Sequence, residues 1–148
     1  MPIRRDLLAL YPPDWRELSD HVRFVRASGR CEACRRPHGQ SVTCLPDGRW
    51  CDAGNRVWIT ALGLPTRRPA NVELLRARVT NVVLSTAHLD HDPTNRDEAN
   101  LAAWCQRCHL AYDLPHHRLQ RWLRYRSRWA SADLFLGPYA LSRYPLNS

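Results

Sequence analysis

Two Cys-x-x-Cys pairs, Cys31 with Cys34 and Cys105 with Cys108, constrain this chain more than any other feature. Each pair bends the backbone into a knuckle that points both sulfurs to one side, and two knuckles supply the four thiolates of a tetrahedral zinc site. The pairs lie about 70 residues apart, so an ion that binds both closes a long loop and ties an early segment to a late one. Cys44 and Cys51 stand apart from this pattern. With Cys31 and Cys34 they form a rival, ribbon-like ligand set, which leaves Cys105 and Cys108 without partners. Cys105-Gln-Arg-Cys108-His109 also matches covalent haem attachment, a chemistry that needs export and usually a distal axial ligand. The only Met is Met1, and the apolar stretch before Tyr11 is too short for a signal sequence. The expectation is therefore structural Zn²⁺, thiols rather than disulfides, and a cytoplasmic location.

The formal charge is +8, and all 22 basic residues are arginine. A GC-rich genome that spells basic residues as Arg accounts for part of the bias. The net excess still favours a polyanionic partner bound in a salt-sensitive way. Guanidinium groups also offer phosphate planar, bidentate donors. At 148 residues and 44% hydrophobic, the chain suffices for one domain with a modest core. No apolar run approaches the roughly 18 residues of a membrane helix, so no membrane partner is expected.

Residues 1–13 read as an irregular arm ending in Pro12-Pro13. Asp14 is a suitable N-cap for a helix to about Ala27, with Trp15, Leu18, Val22 and Val25 on one stripe. Ser28-Gly29 ends it, completing an N-terminal segment of residues 1–30 ahead of the first knuckle at 31–34. Residues 35–78 are the least readable and are taken as an insertion. They suggest a hairpin of Ser41–Thr43 with Arg56–Thr60 around Asp47-Gly48, then a loop holding Pro65 and Pro69. Arg76–Ser85 reads as one buried strand leading to His88. Asn95 and Glu98 have capping-box spacing for a short helix containing Leu101 and Trp104. A second helix over 106–113 halts before Pro115. In the C-terminal segment, 114–148, a last helix over about His117–Trp129 is amphipathic. Leu119, Trp122, Leu123 and Trp129 share one side and Arg121, Arg124 and Arg128 the other. That basic side fits either a solvated face or one that tracks phosphates.

The stretch Ala87–Asp113 brings these features into one register: His88 at a strand end, Asn100 before Leu101, and Cys105-x-x-Cys108-His109 opening a helix. Eight residues (101–108) lie between Asn100 and His109. This resembles the HNH (ββα-metal) nuclease family in its zinc-stapled, two-CxxC form, over residues 31–34 and about 80–113. The resemblance implies an α+β fold with a small ββα-metal core over 79–113. Around that core stand the N-terminal helix, the inserted β/loop segment and the C-terminal amphipathic helix. It implies a metal-dependent endonuclease acting on DNA, with RNA left open. It implies His88 as the general base, an imidazole neutral near pH 7. It implies His109 as a ligand of a catalytic Mg²⁺ or Mn²⁺, and Asn100 as the residue holding the loop.

The chain departs from the pattern at Ala87, where many members carry a metal-ligating side chain. Asp90 is a substitute, as is Asp113, one turn beyond His109; otherwise the ion relies on His109 and waters. His91 and Asp92 fit either solvated loop residues or contacts to substrate or ion, whereas His116 and His117 read as surface. Two rival functions remain at this stage. One is a zinc-stapled nucleic-acid-binding module without catalysis; the other is an accessory subunit of a larger nuclease or packaging complex.

Overall fold

The computed structural model describes residues 10–52, 54 and 56–129, with side chains to 127, and within them the chain is α+β. Two compact units divide it, Met1–Ala111 and Tyr112–Ser148. The arm expected at 1–13 lies outside the described residues over 1–9.

Helix α1 (Trp15–Asp20) continues into a π-helical segment, His21–Arg26. Asp14 occupies the N-cap position without capping through its side chain, which faces Arg96 at 3.4 Å instead. The widened turn changes which residues share a face. Ala27 N–H donates to Val22 O, five residues back, at 3.1 Å, so Val22 and Ala27 both enter the core. Val25, expected on the buried stripe, is 66% exposed.

The expected insertion, together with residues 79–81 that were expected to open the ββα core, forms a five-stranded antiparallel sheet in the order β4-β3-β2-β1-β5. Its strands are β1 (Ser41–Cys44), β2 (Trp50–Asp52), β3 (Val57–Ile59), β4 (Pro65–Thr66) and β5 (Arg78–Asn81). A four-residue helix, α2 (Asn71–Leu74), precedes β5. The expected partner of β1 across Asp47-Gly48 is corrected: β1 pairs with β2, and residues 57–59 form the next strand along. Gly48, at φ +96, permits this tight turn, and a side chain there would also run into the Arg107 guanidinium. Pro65, expected in a loop, sits in the two-residue edge strand β4, where a missing N–H is tolerated.

The single strand expected over Arg76–Ser85 is two strands in different sheets. β5 pairs with β1 and is exposed along its length, whereas β6 (Leu84–His88) pairs with β7 (Leu101–Cys105). The short helix expected around Leu101 and Trp104 is also corrected. Its capping spacing makes only one 3-10 turn, Glu98–Asn100, capped by Asp97. Then β7 runs antiparallel to β6, with His88 opposite Leu101 and Leu84 opposite Cys105.

Helix α3 (Gln106–Trp129) follows β7 directly and carries Pro115 within it, where two helices were expected. Proline removes one backbone donor and kinks a helix without always ending it. Leu119 (52%) and Trp122 (46%) are exposed, as are Arg121 and Arg124, while Leu123 is half-buried and the side chain of Trp129 lies outside the described residues.

Candidate functional site

The two knuckles meet. The sulfurs of Cys31, Cys34, Cys105 and Cys108 lie within 4.8 Å of one another, and the first three residues are almost fully buried. Tetrahedral zinc with bonds of about 2.3 Å sets its sulfurs about 3.8 Å apart. Cys34 and Cys105 Sγ stand 3.6 Å apart, near that spacing and far beyond a disulfide bond of about 2.05 Å. A donor set of four buried sulfurs suits a structural metal such as zinc. Cys44 and Cys51 lie outside the group, in β1 and β2, so the rival ribbon set does not assemble.

Local structure explains the convergence. In the first knuckle Arg35 N–H donates to Cys31 O and Cys31 N–H to Arg36 O. Glu32 then ties it to β7: its N–H donates to Ala103 O at 2.9 Å, and its carboxylate accepts from Ala103 N–H at 2.7 Å. The same carboxylate takes two donors from Arg26. Cys105 N–H reaches Cys31 Sγ at 3.3 Å. Hydrogen bonds among the four sulfurs dominate their acidities, holding Cys31 and Cys105 below the ordinary thiol range and Cys34 and Cys108 above it.

Beside this centre, β6, β7 and the first turns of α3 form a strand–strand–helix unit. The pleat sends alternate side chains to opposite faces. Thr86 and His88 face the N-terminal helix: Thr86 meets Ser19 Oγ at 2.8 Å, and the His88 ring stacks on Trp15 at 4.9 Å between centroids. Ser85 faces α3, where its hydroxyl meets His109 Nδ1 at 2.8 Å. Ala87 alternates to the Ser85 side and is buried.

His88 Nε2 is buried, and with Arg36 Nε it is one of two such side-chain atoms without a hydrogen-bond partner among the described residues. Burial pushes the His88 imidazole below its ordinary pKa. Asp90 and Asp92 oppose this, and His109 adds to it. Tyr11 meets the ring edge-on at 5.9 Å.

Asn100 holds the intervening loop. Its side chain donates to Asp90 Oδ1 at 2.9 Å and accepts from Asp90 N–H at 3.1 Å, while its carbonyl accepts from Leu89 N–H. Asp90 is thereby engaged within the loop, receiving Asp92 N–H, Asn95 Nδ2 and Asn100 Nδ2. Slight burial raises the Asp90 pKa, but these hydrogen bonds outweigh it and leave the carboxylate below its ordinary range.

The expected catalytic-ion ligands do not gather as the cysteines do. Among the described residues, the four cysteines are the one group of three or more His, Cys, Asp or Glu side chains close enough to share an ion. Asp113 belongs to the second unit, where its carboxylate lies 3.9 Å from His117 Nε2. Arg121 and Arg124 are exposed in the same unit, and the side chain of Arg128 lies outside the described residues.

Sequence reasoning missed three neighbours of these groups: Arg36 beside the sulfurs, Ser85 on His109, and the Tyr11–Trp15 pair around His88. The last two depend on contacts between distant elements; Arg36 stands two residues from Cys34, but its contacts with Cys105 and Gly48 come from far along the chain. Compared with protein-family models, curated proteins and solved structures, the chain matches none.

Proposed function

We propose that this chain is a metal-dependent HNH-type endonuclease that hydrolyses nucleic acid phosphodiesters, DNA first among them. The observation that carries the reading is the strand–strand–helix unit, which sets His88 at the end of β6 and His109 on the following helix. Asn100 clamps the loop between the two strands. In this reading neutral His88 accepts a proton from water as the water oxygen bonds to phosphorus, and the bond to the leaving sugar oxygen breaks. Depression of the His88 pKa by burial keeps that imidazole neutral at pH 7. Because Nε2 is buried, the aromatic packing around His88 must open to admit water.

Ser85 orients His109 through Nδ1, so an ion would sit on Nε2. A bound Mg²⁺ or Mn²⁺ would neutralise developing phosphate charge. Its remaining ligands would be waters and phosphate oxygens, as is usual for Mg²⁺. The +8 net charge supplies nonspecific affinity for the phosphate backbone.

Ala87 at the ligand position, together with the absence of a second ion-binding group among the described residues, favours a second reading: a zinc-stapled nucleic-acid-binding module without catalysis. Incubation of supercoiled plasmid with the protein and Mg²⁺, Mn²⁺ or EDTA separates them. Nicked or linear product that disappears with EDTA supports the nuclease. Retarded but uncut plasmid with every ion supports the module.

A further inference from the structure

Arg36 is 2% exposed, and its guanidinium lies against the sulfur cluster, with Nη1 at 3.3 Å from Cys34 Sγ and 3.8 Å from Cys105 Sγ. These two sulfurs belong to different knuckles. Nη2 donates to Gly48 O at 2.9 Å, in the turn between β1 and β2. The guanidinium carbon lies 5.8 Å from the centre of the Trp50 ring, and Trp50 Nε1 in turn donates to Cys34 O at 3.0 Å. Nε has no hydrogen-bond partner, and no carboxylate pairs with Arg36 among the described residues.

Guanidinium stays protonated in proteins, and a buried cation without a counter-anion is strongly unfavourable. The formal anions that its hydrogen bonds reach are cysteine sulfurs, and they are anions only as thiolates. Four thiolates around a divalent ion carry a net charge of about −2, which also resists burial unless it is compensated.

We infer that Arg36 is the built-in countercation of the four-cysteine metal centre, and that its second fork nitrogen makes the β1–β2 turn part of that centre. Loss of the metal frees the sulfurs that Arg36 packs against, so the turn at Leu45–Arg49, held by the same guanidinium, loosens with it. The inference stands on the cysteine cluster alone and is independent of the nuclease reading.

The test uses the full chain, loaded with Zn²⁺ or with Co²⁺ as a spectroscopic substitute. In Arg36→Met, zinc retention against a chelator is expected to fall about 10- to 100-fold, the usual effect of removing a partner of a metal ligand. The sulfur-to-cobalt charge-transfer band should move to lower energy, because the thiolates lose a charged donor. Arg36→Lys, which keeps the charge without the fork, should recover most of the retention but leave backbone amides of Leu45–Arg49 exchanging faster than in the wild type. If Arg36→Met does not fold, Arg36→Lys still decides through these two readouts. A folded variant, Met or Lys, with wild-type retention, band position and amide exchange would show that Arg36 merely fills space and would overturn the inference.

Discussion

Replacing Cys105 with Ala tests how the molecule is held together. The sulfur is fully buried, and it joins segments separated by 71 residues along the chain through its approach to Cys34. A cross-link across a loop of that length removes about 4 kcal/mol of chain entropy from the unfolded state. A structural zinc contributes on the order of 10–16 kcal/mol of apparent binding free energy, which is folding free energy where no site exists before folding. Native domains are stable by only about 5–15 kcal/mol. Loss of one thiolate of four should therefore abolish cooperative melting, rather than lower the midpoint by a few degrees. Bound zinc, measured by elemental analysis beside circular-dichroism melting, should fall from one per chain to near zero. Cys44→Ala, in β1 outside the cluster, should retain both zinc and the transition. A Cys105→Ala protein that melts as the wild type does, or zinc lost from Cys44→Ala, would refute this reasoning.

Further outcomes are expected. Burial lowers the His88 pKa, so as pH falls below the ordinary imidazole value of about 6.5 the unfolded state takes up the proton first. Stability attributable to His88 is thus present above pH 6.5 and lost below it. The acid limb of any cleavage profile should lie below 6.5, and a limb above it would contradict the burial effect. Neutralising Arg121, Arg124 and Arg128 together should lower the slope of log affinity against log salt by about one per residue. The loss should be similar across unrelated sequences, and an unchanged slope would leave that face as solvated surface. Gly48→Ala forces a side chain into positive φ beneath Arg107 and should cost about 1–3 kcal/mol by denaturant melting, whereas a neutral result would mean that the turn relaxes freely.

The four-cysteine cluster was legible in the sequence because a Cys-x-x-Cys knuckle is local chemistry: Cys31, Cys34, Cys105 and Cys108 carry their geometry in their spacing. So was the position of His88 at a strand end. What failed depended on partners. Leu101–Cys105 has helix-compatible alanines and follows a capping pattern, yet pairing with β6 makes it a strand. Val25 is turned outward by one extra residue per turn, which no apolar periodicity reveals. The expected β6 precursor split because Arg78–Asn81 pairs with β1 while Leu84–His88 pairs with β7. Pro115 marked a helix end by rule and became a residue inside α3. Arg36 looked like one more arginine in a basic chain, and its burial came from the knuckles and the β1–β2 segment closing around it.

The central claim rests on His88, and cleavage by His88→Ala tests it most directly. Wild type and variant should be compared on the same supercoiled plasmid with Mn²⁺, after zinc content, melting and DNA retention have been matched. The account predicts an intact zinc centre, unchanged DNA binding, and cleavage reduced by about 10²–10⁴, the usual contribution of a positioned general base. A His88→Ala protein that cuts at the wild-type rate would contradict it and move the role of base to another residue, His91 first.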